Sequence, residues 1–254
     1  MLVLGMVSVF FLPPVVMGFI ALFGWREERM REQEERDREA QRVADEIERQ
    51  VSSEDVSAAN IPPFALYLRP FAIENAIRKR GNEIGIVPTL LVGKMGFDHY
   101  LQPYFSSLGM PLISIVPTYA PLGAGHLFTS DSSWRDRFRM LAPRAKTIVV
   151  VPGIQPGIVA EIRWLMVSGL LGNAVFFKPK GYPKAEWEKM KRLYEEDEGI
   201  ELPDYSPKQL SFRMYSSGIC HGLLEWRTTF LTGDRVRGEK QMRAILNNGR
   251  VDSD

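Results

Sequence analysis

The first part of the chain divides sharply into an apolar block and a charged block. Residues 1–25 carry no charged side chain, whereas residues 26–51 are dense in Glu and Arg. A helix rises about 1.5 Å per residue, so the apolar block is about long enough to cross a hydrocarbon core of ~30 Å. It predicts one transmembrane helix. A cleaved signal peptide fits less well, because the positive n-region is missing and no small-residue cleavage site follows.

Basic residues flank the apolar block on one side only. Arg26, Arg29 and Arg31 come directly after it, whereas the other flank carries only the terminal amine. Because membrane proteins keep such basic residues on the cytoplasmic side, we expect a single-pass protein of the cell membrane with its N-terminus outside. The remainder of the chain then lies in the cytoplasm, and the membrane is a predicted partner.

The charged block predicts a solvated helical stalk over residues 26–51. In four pairs the acid stands four residues before the base, the favourable order on a helix: Glu27/Arg31, Glu32/Arg36, Glu34/Arg38 and Asp45/Arg49. A thin apolar stripe, which runs from Ala40 through Val43, Ala44 and Ile47 to Val51, could join two stalks into a homo-oligomer. A single helix acting as a spacer is the alternative. Residues 52–63 read as a linker.

Strand and helix patterns alternate through the rest of the chain. Amphipathic helical segments separate short apolar runs that predict strands at residues 64–68, 111–116, 147–151 and 173–177. This alternation is typical of an α/β domain with a doubly wound parallel sheet, which we place at residues 64–232. A further strand at 212–215 is expected. Residues 233–254 are predicted to form a C-terminal helix and a polar tail.

Composition and charge exclude several classes of function. The formal net charge is +1, and no run of basic and aromatic residues offers a surface for a phosphate backbone, so nucleic acid is not an expected partner. The single cysteine, Cys220, cannot form an internal disulfide. Three histidines without finger-like spacing give no metal site.

A strand, a Gly/Pro loop and a helix with one acid form the most informative segment. The strand at 147–151 is followed by Pro152 and Gly153, and the helix that restarts near Pro156 carries Glu161 at the edge of its apolar face. In open α/β sheets ligands bind at this end of the strands. Glu161 is therefore the candidate catalytic residue. The alternative is an acid retained because it favours the helix macrodipole.

Four motifs in order resemble a known family. They are Tyr67-Leu-Arg-Pro-Phe71 with Glu74, the loop Pro121-Leu-Gly-Ala-Gly125, Trp134, and the strand at 147–151 followed by Glu161. Together they resemble the TIR-like domains of membrane-anchored bacterial proteins that carry a "YLRSF…D" first-strand motif. The similarity spans about residues 62–178. It implies a TIR/flavodoxin-like fold.

The resemblance also implies a nucleotide site. Glu161 stands where enzymatic relatives use a glutamate to break the nicotinamide–ribose bond of NAD, which would be a substrate rather than a cofactor. The ligand-binding residues carried over with it are Arg69, Phe71, Glu74, Gly123, Ala124 and Gly125. The sequence departs from the family pattern at Pro70, at Glu74 and at Ala160. A tight turn at the glycines, an Arg69–Glu74 pair and core packing of Trp134 are the structural alternatives.

Two functions from different classes follow, with a third less favoured. The first is a membrane-anchored enzyme, a possible NAD glycohydrolase, that hydrolyses the N-glycosidic bond of NAD or a related nucleotide in a bacterial defence or signalling role. The second is a non-catalytic module that senses a nucleotide or assembles with proteins, including other copies of itself. A nucleoside deoxyribosyltransferase-like fold, with glutamate as nucleophile, is the third.

Overall fold

The computed structural model describes residue 28 and residues 31–51, 61–68, 97–116, 124–130, 133–179, 182–214, 217–226 and 235–247. The predicted transmembrane helix at 1–25 and most of the predicted linker lie outside these residues. Within the described part of the chain, no helix has the length and apolar character needed to span a bilayer.

A single seven-stranded sheet organises the domain. Its order is β3-β2-β1-β4-β5-β6-β7, and the first five strands in that order run parallel. The strands are β1 (Ala65–Leu68), β2 (Leu112–Val116), β3 (Gly125–Phe128), β4 (Thr147–Val150), β5 (Ala174–Lys178), β6 (Gln209–Met214) and β7 (Cys220–Trp226). The predicted α/β class is thus confirmed, and the central order β2-β1-β4-β5 is consistent with a flavodoxin-like sheet.

Helices cover both faces of the sheet, which explains why β1, β4 and β5 are buried throughout. One face carries α2 (Phe97–Ser107) and α6 (Arg235–Asn247). The other carries a helix at 31–51, here α1, together with α3 (Trp134–Leu141), α4 (Pro156–Val167) and α5 (Lys184–Glu198). The two faces form two separate apolar clusters, as a doubly wound sheet requires.

The sheet is not parallel throughout, and this corrects the predicted architecture. Strand β6 runs antiparallel to β5, and β7 runs antiparallel to β6. After α5, Gly199 adopts φ of 63° and ends the helix, and the following segment returns along α5. The Trp187 indole N–H donates to the Pro203 carbonyl at 2.9 Å, and Tyr205 donates to the Tyr182 carbonyl at 3.3 Å. The chain therefore enters β6 from the end at which β5 stops.

The C-terminal helix belongs to the sheet domain rather than to an appended tail. Met242 and Ile245 of α6 are buried with Leu101 and Phe105 of α2. From β6, the Arg213 guanidinium donates to the carbonyls of Gly172, Ile245 and Leu246 at 2.8, 3.4 and 2.9 Å, so it ties the end of α6 to the sheet. The boundary predicted at residue 233 falls inside one structural unit.

The prediction of a solvated stalk is wrong for residues 31–51. The segment is helical, and the predicted ion pairs of Arg36 with Glu32 and Arg38 with Glu34 form at 2.6 and 3.6 Å. The apolar stripe, however, packs on the domain: Ala40, Ala44 and Ile47 are fully buried, and Val43 and Val51 are partly buried against the same core. The stripe predicted to join two stalks is already occupied by the sheet domain.

Helix α1 approaches strand β3 so closely that only glycine fits at Gly125. A Cβ atom there would lie 2.2 Å from the Ala40 carbonyl oxygen and 2.9 Å from the Ile113 Cδ1 atom. The first of these neighbours is backbone, which cannot rotate away. Gly125 is thus required by the packing of α1 on the sheet.

We predict that Gly125→Ala lowers the free energy of unfolding by about 1–3 kcal/mol, since α1 must shift to admit the methyl group. Gly172→Ala is the matched control, because no atom lies within 4 Å of a Cβ there, and we expect a change within about 0.5 kcal/mol. Thermal melting of the purified chain measures both. Equal melting temperatures for the two variants would contradict the packing argument.

Candidate functional site

The sheet has a switch point between β1 and β4. The chain leaves β1 for β2 on one side, whereas β4 pairs with β1 on the other side, so the connections after β1 and β4 diverge to opposite faces. Ligands of open α/β sheets bind in the crevice that this divergence opens at the carboxyl ends of the strands. The segment after β4, residues 151–155, is described and forms one wall of this region.

Two buried tyrosines hold the loop after β4 in place. The Tyr182 hydroxyl donates to the Pro152 carbonyl at 3.3 Å, and the Tyr194 hydroxyl, from α5, donates to the Gly153 carbonyl at 2.9 Å. Burial raises the pKa of both phenols, so they remain neutral donors. These two tyrosine hydrogen bonds therefore fix the loop, and they do not depend on pH in the neutral range.

Helix α4 starts at the end of this loop with an unsatisfied acceptor. Gln155 precedes the helix in an extended conformation and makes no side-chain capping bond, and Pro156 supplies the first helical residue. The Gln155 Oε1 atom is buried, and it has no hydrogen-bond partner in the part of the chain that the structure describes. A buried carbonyl oxygen without a donor is unfavourable, so a donor supplied by a ligand would relieve it.

Glu161 lies on the second turn of α4, beside its apolar face. Ile158, Ile162 and Leu165 point into the core. Helix α3 packs against α4. The Phe138 ring of α3 and the Trp164 ring of α4 meet edge to face, with their centroids 5.2 Å apart. These contacts fix the helix that carries the acid.

The Glu161 carboxyl is a perturbed and unpaired group. Burial raises its pKa to about 8, and the positive charge of Arg135 on α3 opposes that rise. The residue nevertheless keeps part of its surface exposed. Within the described residues its carboxyl oxygens form no hydrogen bond and no salt bridge. A desolvated acid without a partner among the described residues is a candidate functional group.

The structural alternative for Glu161 lacks support. The dipole effect of a helix falls off within its first turn, and Glu161 lies beyond that turn. Arg163, two residues further along α4, illustrates a structural charge: its guanidinium forms a bidentate salt bridge with Glu198 of α5. Glu161 has no such partner.

A buried lysine at the end of β5 was not predicted from the sequence. Lys178 is fully buried, its Nζ atom donates to the Lys208 carbonyl at 2.6 Å, and it lies over the rings of Trp187 and Tyr205 at 5.9 and 5.2 Å. Burial lowers its pKa to about 8. These contacts enclose the amine, which fits a role in holding β6 against β5 rather than one in chemistry.

The other predicted site residues are not brought to Glu161 by the described structure. Arg69, Phe71, Glu74 and Gly123 lie outside the described residues. Ala124 and Gly125 lie at the amino end of β3, whereas the candidate site lies at the carboxyl ends of the parallel strands. In addition, β3 lies three strands away from β4, so the two strands are about 14 Å apart. The Ala40 carbonyl occupies the space where a Gly125 Cβ atom would lie, so the packing of α1 accounts for this glycine, and a phosphate contact there stays a prediction.

The remaining candidates have structural roles. Trp134 packs against the apolar core and against Gly157 of α4, so the interpretation of this residue as a packing residue is confirmed. Burial raises the pKa of the Cys220 thiol to about 11, which leaves it a poor nucleophile. Among the described residues, no group of three or more acids, histidines or cysteines could hold a metal ion.

The chain has no significant match to a protein-family model, a curated protein or a solved structure.

The raised pKa of Glu161 gives a testable effect on stability. Between the ordinary carboxyl pKa of 4.5 and the folded value of about 8, the folded state binds more protons than the unfolded state. The free energy of unfolding therefore falls as pH rises through this interval. We predict that Glu161→Gln, which stays neutral, matches wild type near pH 4.5 and exceeds it by up to about 5 kcal/mol above pH 8.

Melting temperatures of the two proteins across this pH range measure the difference. Glu196→Gln, at an exposed position on α5, is the control for the exchange of a glutamate for a glutamine. A pH-independent difference for Glu161→Gln would show that the carboxyl is not desolvated in the folded protein.

Proposed function

We propose that this protein is a membrane-anchored TIR-like enzyme that hydrolyses the N-glycosidic bond of NAD or a related nucleotide. The observation that carries the proposal is a single carboxyl group, that of Glu161. It is desolvated, unpaired among the described residues, and carried by the helix that follows β4 at the switch point of the sheet.

The reaction requires little beyond one placed carboxylate. The bond from the ribose C1′ atom to the nicotinamide nitrogen breaks, and its electron pair neutralises the pyridinium, so no general acid is required. Water then adds to C1′ and a proton is released to solvent. The transition state carries positive charge on the sugar ring, and an ionised Glu161 stabilises that charge and accepts hydrogen bonds from ribose hydroxyls.

The neighbours of Glu161 have defined roles in this proposal. Arg135 keeps a share of the acid ionised near neutral pH by opposing the effect of burial. The Gln155 Oε1 atom accepts a hydrogen bond from an amide or hydroxyl of the nucleotide. Tyr194 fixes the loop that leads to Gln155, because its hydroxyl donates to the Gly153 carbonyl.

The anchor and the cellular location are part of the proposal. The uncharged block at residues 1–25 forms the single membrane span, and the basic residues that follow place the sheet domain in the cytoplasm. A role in bacterial defence or signalling rests on the resemblance to TIR-like domains, as does the choice of NAD.

A non-catalytic module is the second candidate. The sequence departs from the family pattern at Pro70, Glu74 and Ala160. The unsatisfied Gln155 carbonyl also suits a site that binds a nucleotide without turning it over. Such a module would sense the nucleotide and transmit its presence through contacts with other proteins at the membrane.

We expect the full chain, purified in mild detergent, to release nicotinamide from NAD, and Glu161→Gln to abolish release while the protein stays folded. Loss of the carboxylate removes the charge that the transition state needs, so a fall of at least about a hundredfold is expected. Glu196→Gln should retain wild-type activity. Chromatographic detection of nicotinamide measures the rate, and an equally active Glu161→Gln variant would exclude the proposed role.

The pH dependence should follow the ionisation of Glu161. We expect kcat/KM to rise about tenfold per pH unit below the pKa of about 8 and to level off above it. Arg135→Gln removes the charge that lowers this pKa, so the rise should move to higher pH. Arg139→Gln, exposed on the same helix, is the matched control. An unchanged pH profile in Arg135→Gln would show that Arg135 does not affect the ionisation of Glu161.

Thermal stabilisation distinguishes the two candidate functions. A nucleotide that binds only the folded state raises the melting temperature by mass action. If NAD or ADP-ribose raises the melting temperature of a chain that releases no nicotinamide, the sensing module is supported. If neither ligand binds, a nucleotide site beside Glu161 is excluded.

A further inference from the structure

Among the strands that the structure describes, β3 ends the sheet on one side, and its outer edge is covered by side-chain groups and not by one of those strands. The Gln41 amide of α1 bonds both backbone groups of His126: its nitrogen donates to the His126 carbonyl at 3.2 Å, and its oxygen accepts from the His126 N–H at 3.0 Å. A neighbouring strand would use one donor and one acceptor in the same way. The glutamine amide thus replaces the peptide groups of a missing strand.

A second polar contact completes the cover. Arg137 of α3 donates to the Phe128 carbonyl at 3.2 Å and also binds Glu48 of α1 at 2.7 Å. The edge is therefore capped at two residues of β3, in each case by a side-chain group that α1 supplies or holds. The Phe128 side chain remains 46% exposed beside this edge.

The packing of α1 on the domain buries one unfavourable polar group. Asp37 is only 8% exposed, and its Oδ2 atom is buried with no hydrogen-bond partner in the described residues, although Gln33 donates to Oδ1 at 2.7 Å. Burial and the negative charge of Asp98 on α2 both raise its pKa, to about 6. Two of the three fully buried apolar side chains of α1 are alanines, so the apolar contact that offsets this cost comes mainly from Ile47 and the partly buried Val43 and Val51.

From these contacts we infer that the outer edge of β3 is a pairing surface for a second copy of this chain, and that α1 covers it reversibly. An edge strand is self-complementary, since two copies related by a two-fold axis can pair antiparallel and satisfy the same backbone groups in both partners. Helix α1 connects this edge to the apolar block at residues 1–25. Copies held together by that block would present the edge at high local concentration.

This inference is independent of the proposed enzymatic activity, because its readout is self-association. The experiment uses the full chain in mild detergent with Cys220→Ser, which removes the only cysteine, and Phe128→Cys, which places a thiol beside the edge. A short bismaleimide joins two thiols only when two edges lie close together. Gln41→Leu, which keeps α1 helical but removes both bonds to His126, should raise the cross-linked dimer about tenfold.

Two further variants keep the test decisive. Asp37→Asn removes the buried charge and keeps the acceptor for Gln33, so α1 should bind more firmly and the dimer should fall below wild type. Arg42→Ala, on the solvent side of α1 where its side chain is 76% exposed, should leave the dimer unchanged. Hydrogen exchange at the His126 amide reports whether the edge is covered.

Each outcome bears on the inference. A dimer that rises with Gln41→Leu and falls with Asp37→Asn supports it, as does a fall in Asp37→Asn alone if Gln41→Leu fails to fold. A His126 amide that becomes unprotected in Gln41→Leu without more dimer would overturn the pairing surface. An amide that stays protected in a monomer would overturn the role of Gln41 in covering the edge. A dimer fraction that does not respond to Asp37→Asn would likewise contradict reversible cover.

Discussion

The parallel pairing of β1 with β4 is the contact on which the candidate site depends. Four consecutive residues pair from Ala65↔Thr147 to Leu68↔Val150, and the Val151 N–H donates to the Leu68 carbonyl at 3.0 Å, one residue beyond β4. Both strands therefore stop at the same level, and the chain diverges from there to opposite faces. Because helices cover both faces of these strands, a slip by one residue would move every aligned side chain into the core on the opposite face.

Electrostatic isolation distinguishes Glu161 from the other acids of its neighbourhood. The Glu198 side chain is only 4% exposed, but it is paired with the Arg163 guanidinium, so its burial is compensated. Among the described residues Glu161 forms no salt bridge, and burial raises its pKa to about 8 although the charge of Arg135 opposes the rise. Such an acid lowers the stability of the folded protein, and natural proteins retain this kind of cost mostly where a group is used.

The sequence predicts the helices and strands of this fold better than it predicts which of them contact each other. The strand of β-branched residues at 147–150 and the helix that begins at Pro156 carry strong local signals, because periodicity and proline act over a few residues. Strands β3 and β7 are not predicted from the sequence, because the loop assigned to residues 121–125 overlaps the start of β3 and no strand pattern is assigned at residues 220–226. The buried face of α1 was visible as an apolar stripe, but a pattern does not reveal which surface covers it. The pKa of Glu161 likewise depends on packing that no local motif encodes.

Arg213 has a practical consequence for handling this protein. Its guanidinium is shared among three carbonyl groups, two of which belong to the last turn of α6. A fragment trimmed before residue 235 would remove two carbonyl acceptors of this buried cation and would uncover the apolar surface around Leu101 and Phe105. Shortened versions for crystallisation or screening therefore need their 3′ boundary beyond the codon for Asn247, even though the sheet itself ends at Trp226.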